Sequence, residues 1–118
     1  MKEELEKIIQ EVHKDQTRWW VDPETKQPIE RNIGELIALC HSELSEALEA
    51  ARKGLKDDHL PHRDGLTVEL ADNIIRVFDM AGGLKLDLAG AIVEKLAYNR
   101  TRYDHSHEAR LKEGGKKF

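Results

Sequence analysis

Residues 32–54 read NIGELIALCHSELSEALEAARKG, and this stretch decides the fold class. On a helical wheel Leu36, Cys40, Leu44, Ala47 and Ala51 form one stripe, with Leu39 and Ala50 beside it. Asn32 followed by Glu35 resembles a capping box, with Asn in place of the usual Ser or Thr, and Gly54 supplies a stop. The pattern predicts a helix from Asn32 to about Lys53. Yet Glu43 and Glu46, three residues apart, fall between Leu39 and Ala50. They flank or enter the apolar face, away from the side that water would solvate.

The same device recurs at 68–78, VELADNIIRVF, where Glu69 and Asp72 stand three apart. Here Leu66, Leu70, Ile74, Val77 and Ala81 make one apolar stripe, and Val68 and Ile75 make another nearly opposite. Glu69 and Asp72 lie between the two. A helix apolar on two sides is covered on both, by its own chain and by a partner. A homodimer, or a pair of dimers, is therefore expected. Asn73 falls on the main stripe and is expected to be buried with a hydrogen-bond partner.

The remaining segments fit the same class. Leu5, Ile8, Ile9 and Val12 predict a first helix over 2–18, and DPETKQP at 22–28 is a turn-rich loop. KDDHLPHRDG at 56–65 is a second loop. Asp64 or Thr67 starts the third helix, which runs to Ala81, and Gly82-Gly83 follows. Asp87 caps a fourth helix to about Tyr103. No alternating β-branched run with hairpin turns is present, so the class is all-α. Four helices with short connections predict a bundle occupying 1–104, with a polar, mobile tail at 105–118.

Composition narrows the function. The chain has 118 residues, 36% charged and 39% hydrophobic, which suits one folded domain in water. No apolar run approaches the ~20 residues that span a bilayer, and no targeting segment is read at the N-terminus, so a cytoplasmic protein without a membrane partner is expected. The net charge is −4, and basic residues gather only near Arg100–Arg102 and in KEGGKKF at the end. That argues against a nucleic-acid polymer as partner. Cys40 is the single cysteine; it excludes an intrachain disulfide and reads as a small buried hydrophobe.

Carboxylates inside a helical interface repel one another and lose hydration, at a cost of several kcal/mol per ion when nothing compensates. Acids at i and i+3 project from one face, and two such helices packed about 8–10 Å apart bring four carboxylates to a common centre. An all-oxygen site of Glu43, Glu46, Glu69 and Asp72 suits Mg²⁺ or Mn²⁺. A di-iron bundle would need Glu-x-x-His pairs, which are absent here. His59 and His62 flank Pro61 in a loop without cysteines or a helical HExxH context, so zinc is disfavoured. Arg76, one turn past Asp72, is expected to hold one of the acids in place.

Glu43-x-x-Glu46, a spacer of 22 residues, then Glu69-x-x-Asp72 resembles the signature of the MazG-like, all-α nucleoside triphosphate pyrophosphohydrolases. The resemblance runs from about Trp19 to Arg102, including LDLAGAIVEKLAYNRTR at 86–102, which is similar to that family's closing helix. It implies Mg²⁺-dependent cleavage of a nucleoside triphosphate between the α and β phosphates, releasing a monophosphate and pyrophosphate, in nucleotide-pool housecleaning. It implies metal ligation by Glu43, Glu46, Glu69 and Asp72. It also implies substrate contacts from Lys95, Asn99 and Arg102, which share one helix face, and from Trp19 or Trp20 against the base. Many members carry a further acid just before the first motif glutamate. Here Ser42 stands there, so the water-activating group is left open between Glu46, Glu43 and metal alone. Phosphoribosyl-ATP pyrophosphohydrolase and a non-catalytic nucleotide- or protein-binding helical dimer are the alternatives.

Overall fold

The structure is a computed structural model that describes residues 1–111, with side chains through Arg102. Four helices account for most of it: α1 (Lys2–Asp15), α2 (Ile33–Lys53), α3 (Gly65–Gly83) and α4 (Leu88–Leu111). Two isolated bridges, Val21 with Pro28 and Lys56 with Asp64, pinch the loops, and the described residues contain no strand. No described helix is long and apolar enough to cross a membrane.

Local chemistry sets the boundaries. Asn32 Oδ1 accepts from the Glu35 amide at 2.9 Å, and Asp64 Oδ2 accepts from the Thr67 amide at 2.8 Å, each answering one of the orphan donors at a helix start. Asp87 Oδ1 does the same for Gly90 at 3.0 Å. Gly54 closes α2 at φ 63°, a left-handed conformation that a side chain would disfavour. Two boundaries differ from the sequence expectation. The first helix stops at Asp15, and Thr17–Trp20 forms a separate 3₁₀ turn. The fourth helix continues past Tyr103 to Leu111, so the expected tail loses its first part to α4, and 112–118 lie outside the described residues.

Packing falls into two zones. In the first, Ile9, Ala81 and Ala89 join α1, the end of α3 and the start of α4, with Leu5, Phe78 and Leu88 around them. In the second, α2 lies on α3 through Leu36, Cys40, Glu43, Ala47 and Ala50. Cys40 is buried as expected, and burial pushes its thiol pKa up.

The buried stripe of α2 is rotated from the one read on the wheel. Glu43 sits in it, while Leu44 and Leu48 face outward. On α3 the expected main stripe divides: Leu66, Leu70 and Ile74 are exposed, Val77 is half-buried and Ala81 is in the core, while the face carrying Glu69 and Asp72 meets α2. The acids thus lie within the intrachain contact, and Leu44, Leu48, Leu66, Leu70 and Ile74 lie outside it. Asn73 is half-buried, but its Oδ1 has no hydrogen-bond partner among the described residues, contrary to expectation. α4 packs chiefly against α1.

Candidate metal centre and adjoining cavity

α2 and α3 deliver the acids because both helices repeat carboxylates at i, i+3 on the faces they turn to each other. One carboxylate oxygen from each of Glu43, Glu69 and Asp72 lies within 4.8 Å of the other two. Glu43 is 8% exposed, which places a carboxylate among the most buried side chains of α2. Glu46, the fourth acid expected here, is exposed and stands outside this close group.

The electrostatics follow from the crowding. Burial first, then the neighbouring carboxylates of Glu43 and Glu46, push the Glu69 pKa up to about 8. Burial also raises Asp72, helped by the charges of Glu43 and Asp57, with Arg76 pulling the other way. Arg76 is the one cation in direct contact with the group among the described residues: its Nε donates to Glu43 Oε1 at 2.8 Å. That is the role its position one turn past Asp72 suggested.

The donors fit a hard divalent cation. All are oxygens, three converge from two helices, and Glu69 Oε2 is buried without a hydrogen-bond partner among the described residues. A buried carboxylate oxygen with no donor is costly unless a proton or a cation meets it. Nothing in this geometry selects one metal.

A cavity of about 490 Å³ opens beside the acids, within the range of small-molecule sites. Glu43, Asp72 and Arg76 line it at the acids, and Gln16, Trp19 and Arg31 line it from the 3₁₀ turn and the loop before α2. The two tryptophans divide their labour. Trp19 is exposed and lines the cavity. Trp20 turns inward, and its Nε1 donates to both oxygens of Asp79, at 3.0 and 3.1 Å. His13 Nδ1 contacts the same carboxylate at 2.9 Å and meets the Trp20 ring edge-on at 5.6 Å.

Lys95, Asn99 and Arg102 are not brought to the acids within one chain. All three are exposed on α4, and none lines this cavity. Lys95 Nζ instead lies over its own helix neighbour Tyr98, 4.7 Å from the ring centroid. His59 and His62 are exposed in the loop and take no part in the acid group. A smaller cavity of about 250 Å³ lies on the other flank, between Glu46, Glu69 and the loop at Asp57 and Asp58.

Sequence reasoning missed Asp79 and Arg31. Asp79 had a signal: Glu69, Asp72, Arg76 and Asp79 step by three, four and three residues along one face of α3. Arg31 had none, because it precedes the α2 cap in an irregular loop. No family model matches the chain, and no curated protein or solved structure matches it.

Proposed function

We propose that the protein is a metal-dependent hydrolase of nucleoside triphosphates, cleaving between the α and β phosphates to give a monophosphate and pyrophosphate. The observation that carries this reading is the convergence of Glu43, Glu69 and Asp72 beside a cavity walled by Trp19 and two arginines. Acids alone would repel a triphosphate. Acids that share a divalent ion with it attract one, and an aromatic wall in the same cavity gives the base a surface. The spacing of the four motif acids in sequence supports the same reading.

Glu43, Glu69 and Asp72 are the residues that would hold the ion, with Mg²⁺ or Mn²⁺ the chemical match to an all-oxygen set. Bound there, it supplies charge neutralisation at the phosphates and a water of lowered pKa. Arg76 keeps Glu43 turned into the site. Glu46 is exposed, outside the close group and on the flank of the smaller cavity, where it neighbours Glu69; in this reading its carboxylate takes the proton from an attacking water that enters from that side. Trp19 offers a ring face to the base.

A second copy of the chain completes the molecule in this reading. Ile33, Ile37, Leu44 and Leu48 on α2, with Leu66, Leu70 and Ile74 on α3, remain exposed, and a partner would cover them. Lys95, Asn99 and Arg102 would then reach a substrate only from a neighbouring copy's α4.

Product analysis tests the reading. The protein is incubated with Mg²⁺ and each ribo- and deoxynucleoside triphosphate, and the products are separated. Monophosphate plus pyrophosphate is the expected result. Diphosphate plus phosphate would place the cut at the wrong bond, and no turnover with any nucleotide would remove the enzyme reading.

A further inference from the structure

The cavity has an end that the acids do not explain. α2 and α3 run antiparallel, so the start of α2 lies beside the end of α3. Arg31 lies just before α2, and the helical stretch from Ile33 to Glu43 alone spans about 15 Å. Asp79 follows Asp72 by two turns, about 10 Å on the same scale. Arg31, Gln16 and Trp19 therefore gather at one end of the cavity and the metal-binding acids at the other. The backbone separation exceeds the span of one phosphate group, so a ligand that meets both ends is an extended one.

Arg31 is held, not loose. Its guanidinium lies 5.2 Å over the Trp20 ring. That ring is fixed by two hydrogen bonds to Asp79 and by the edge of His13. The other arginine of the cavity, Arg76, is engaged by Glu43, whereas Arg31 has no ion-pair partner among the described residues. Arg31 is half-buried, and its guanidinium, stacked on one ring in a residue that lines the cavity, offers several N–H donors and no acceptor.

We propose that Arg31, with the Gln16 side chain that lines the same cavity, reads the nucleobase and selects bases that carry an exocyclic oxygen, disfavouring adenine. This rests on the nucleotide reading of the acid end. The chemistry is one-sided. Guanine offers O6 beside N7, cytosine offers O2 beside N3, and uracil and thymine offer two carbonyl oxygens. Adenine has no exocyclic oxygen and places an amino donor beside N7 and beside N1, where it opposes the donors of Arg31. Gln16 can give and take a hydrogen bond, so it accommodates whichever group adjoins the oxygen.

The test uses binding, so that it does not depend on turnover. The α,β-methylene triphosphates of adenosine, guanosine, cytidine and uridine are titrated with Mn²⁺ into the wild-type protein and into Arg31→Met, following tryptophan fluorescence. In the wild type the three oxo-base analogues bind about tenfold tighter than the adenosine analogue, the scale of one good directional contact. In Arg31→Met that gap closes, mainly because the oxo-base analogues weaken. The inference is overturned if the adenosine analogue binds as tightly as the others in the wild type. It is also overturned if Arg31→Met weakens all four equally, which would make Arg31 a phosphate anchor, or if none binds. The wild-type ranking needs no variant, so a misfolded Arg31→Met cannot rescue the idea. Base-selective binding without hydrolysis would remove the enzyme reading and leave this one standing, and hydrolysis without base ranking would do the reverse.

Discussion

Arg76 on α3 donates its Nε hydrogen to Glu43 Oε1 on α2 over 2.8 Å, so the contact between the two helices is made through the acids themselves. The Arg76 side chain is 41% exposed and the Glu43 side chain 11%, so water screens one side of the pair more than the other. Removing the cation leaves three converging carboxylates with none. Arg76→Leu should cost about 1 kcal/mol in the metal-free protein at neutral pH, a value kept small because the arginine is partly solvated. Mg²⁺ should recover much of that loss. Urea unfolding with and without Mg²⁺ measures both, and an unchanged midpoint would show that the pair carries no stability.

Glu69 gives the metal-free protein a pH dependence of definite sign. Its pKa in the folded chain is raised from 4.5 to about 8, so between those values the folded state holds a proton that the unfolded chain has released. Stability is then full below the unfolded value and is lost as pH rises through about 8. The raised pKa of Asp72 acts in the same direction. The melting temperature should fall between about pH 5 and about pH 9, and Mg²⁺ should raise it more at the alkaline end, where no proton competes. Glu69→Gln should flatten the profile and abolish the metal effect. A wild-type profile that rises over this range would contradict the assignment.

Asp72 and Glu46 should separate in kinetics as they do in space. Asp72 belongs to the close group, so Asp72→Asn should lose both the Mg²⁺-induced rise in melting temperature and more than about 100-fold in turnover. Glu46 lies outside it and is exposed, so Glu46→Gln should keep the metal-induced rise while turnover drops by about 10²–10⁴. Equal loss of the metal effect in both would make Glu46 a ligand, as the motif spacing alone suggests.

These residues also mark what could be read before the fold was known. The caps at Asn32, Asp64 and Asp87 and the stop at Gly54 are local chemistry, written in three or four adjacent residues, and they held. The acid faces were legible because i, i+3 spacing fixes direction on a helix. The wheel misplaced the buried stripe of α2, because it assumes that the most apolar stripe meets the nearest helix; for α3 it had left one apolar stripe to a partner. Here Ala47 and Ala50 let α2 approach α3 closely beside Glu43, while Leu44, Leu48, Leu70 and Ile74 remain outside. Hydrophobicity alone does not say whether a stripe is covered by its own chain. The division between Trp19 and Trp20 was illegible for another reason: adjacent residues in a 3₁₀ turn point apart, and which one turns inward depends on Asp79, 59 residues away.

That inward tryptophan is the last point to test, because it supports the far end of the cavity. A Cβ on Gly83 would lie 2.2 Å from Cζ2 of the Trp20 ring, so glycine is what lets the ring lie against the end of α3. The ring cannot swing aside cheaply, since its Nε1 is held by Asp79 at 3.0 and 3.1 Å. Gly83→Ala should therefore destabilise the protein by about 1–3 kcal/mol through overpacking. It should also release Arg31 from its stack. Trp20→Phe keeps the ring but removes the N–H, leaving the Asp79 carboxylate to His13; a similar loss of about 1–3 kcal/mol is expected from the unmade hydrogen bond. If the cavity depends on this anchor, Gly83→Ala should weaken nucleotide binding even though residue 83 does not line the cavity, whereas Trp20→Phe, which still offers Arg31 a ring, should weaken it less. Denaturant unfolding and the fluorescence titration together decide it: stability lost in both variants with nucleotide binding intact would confine Trp20 to the core.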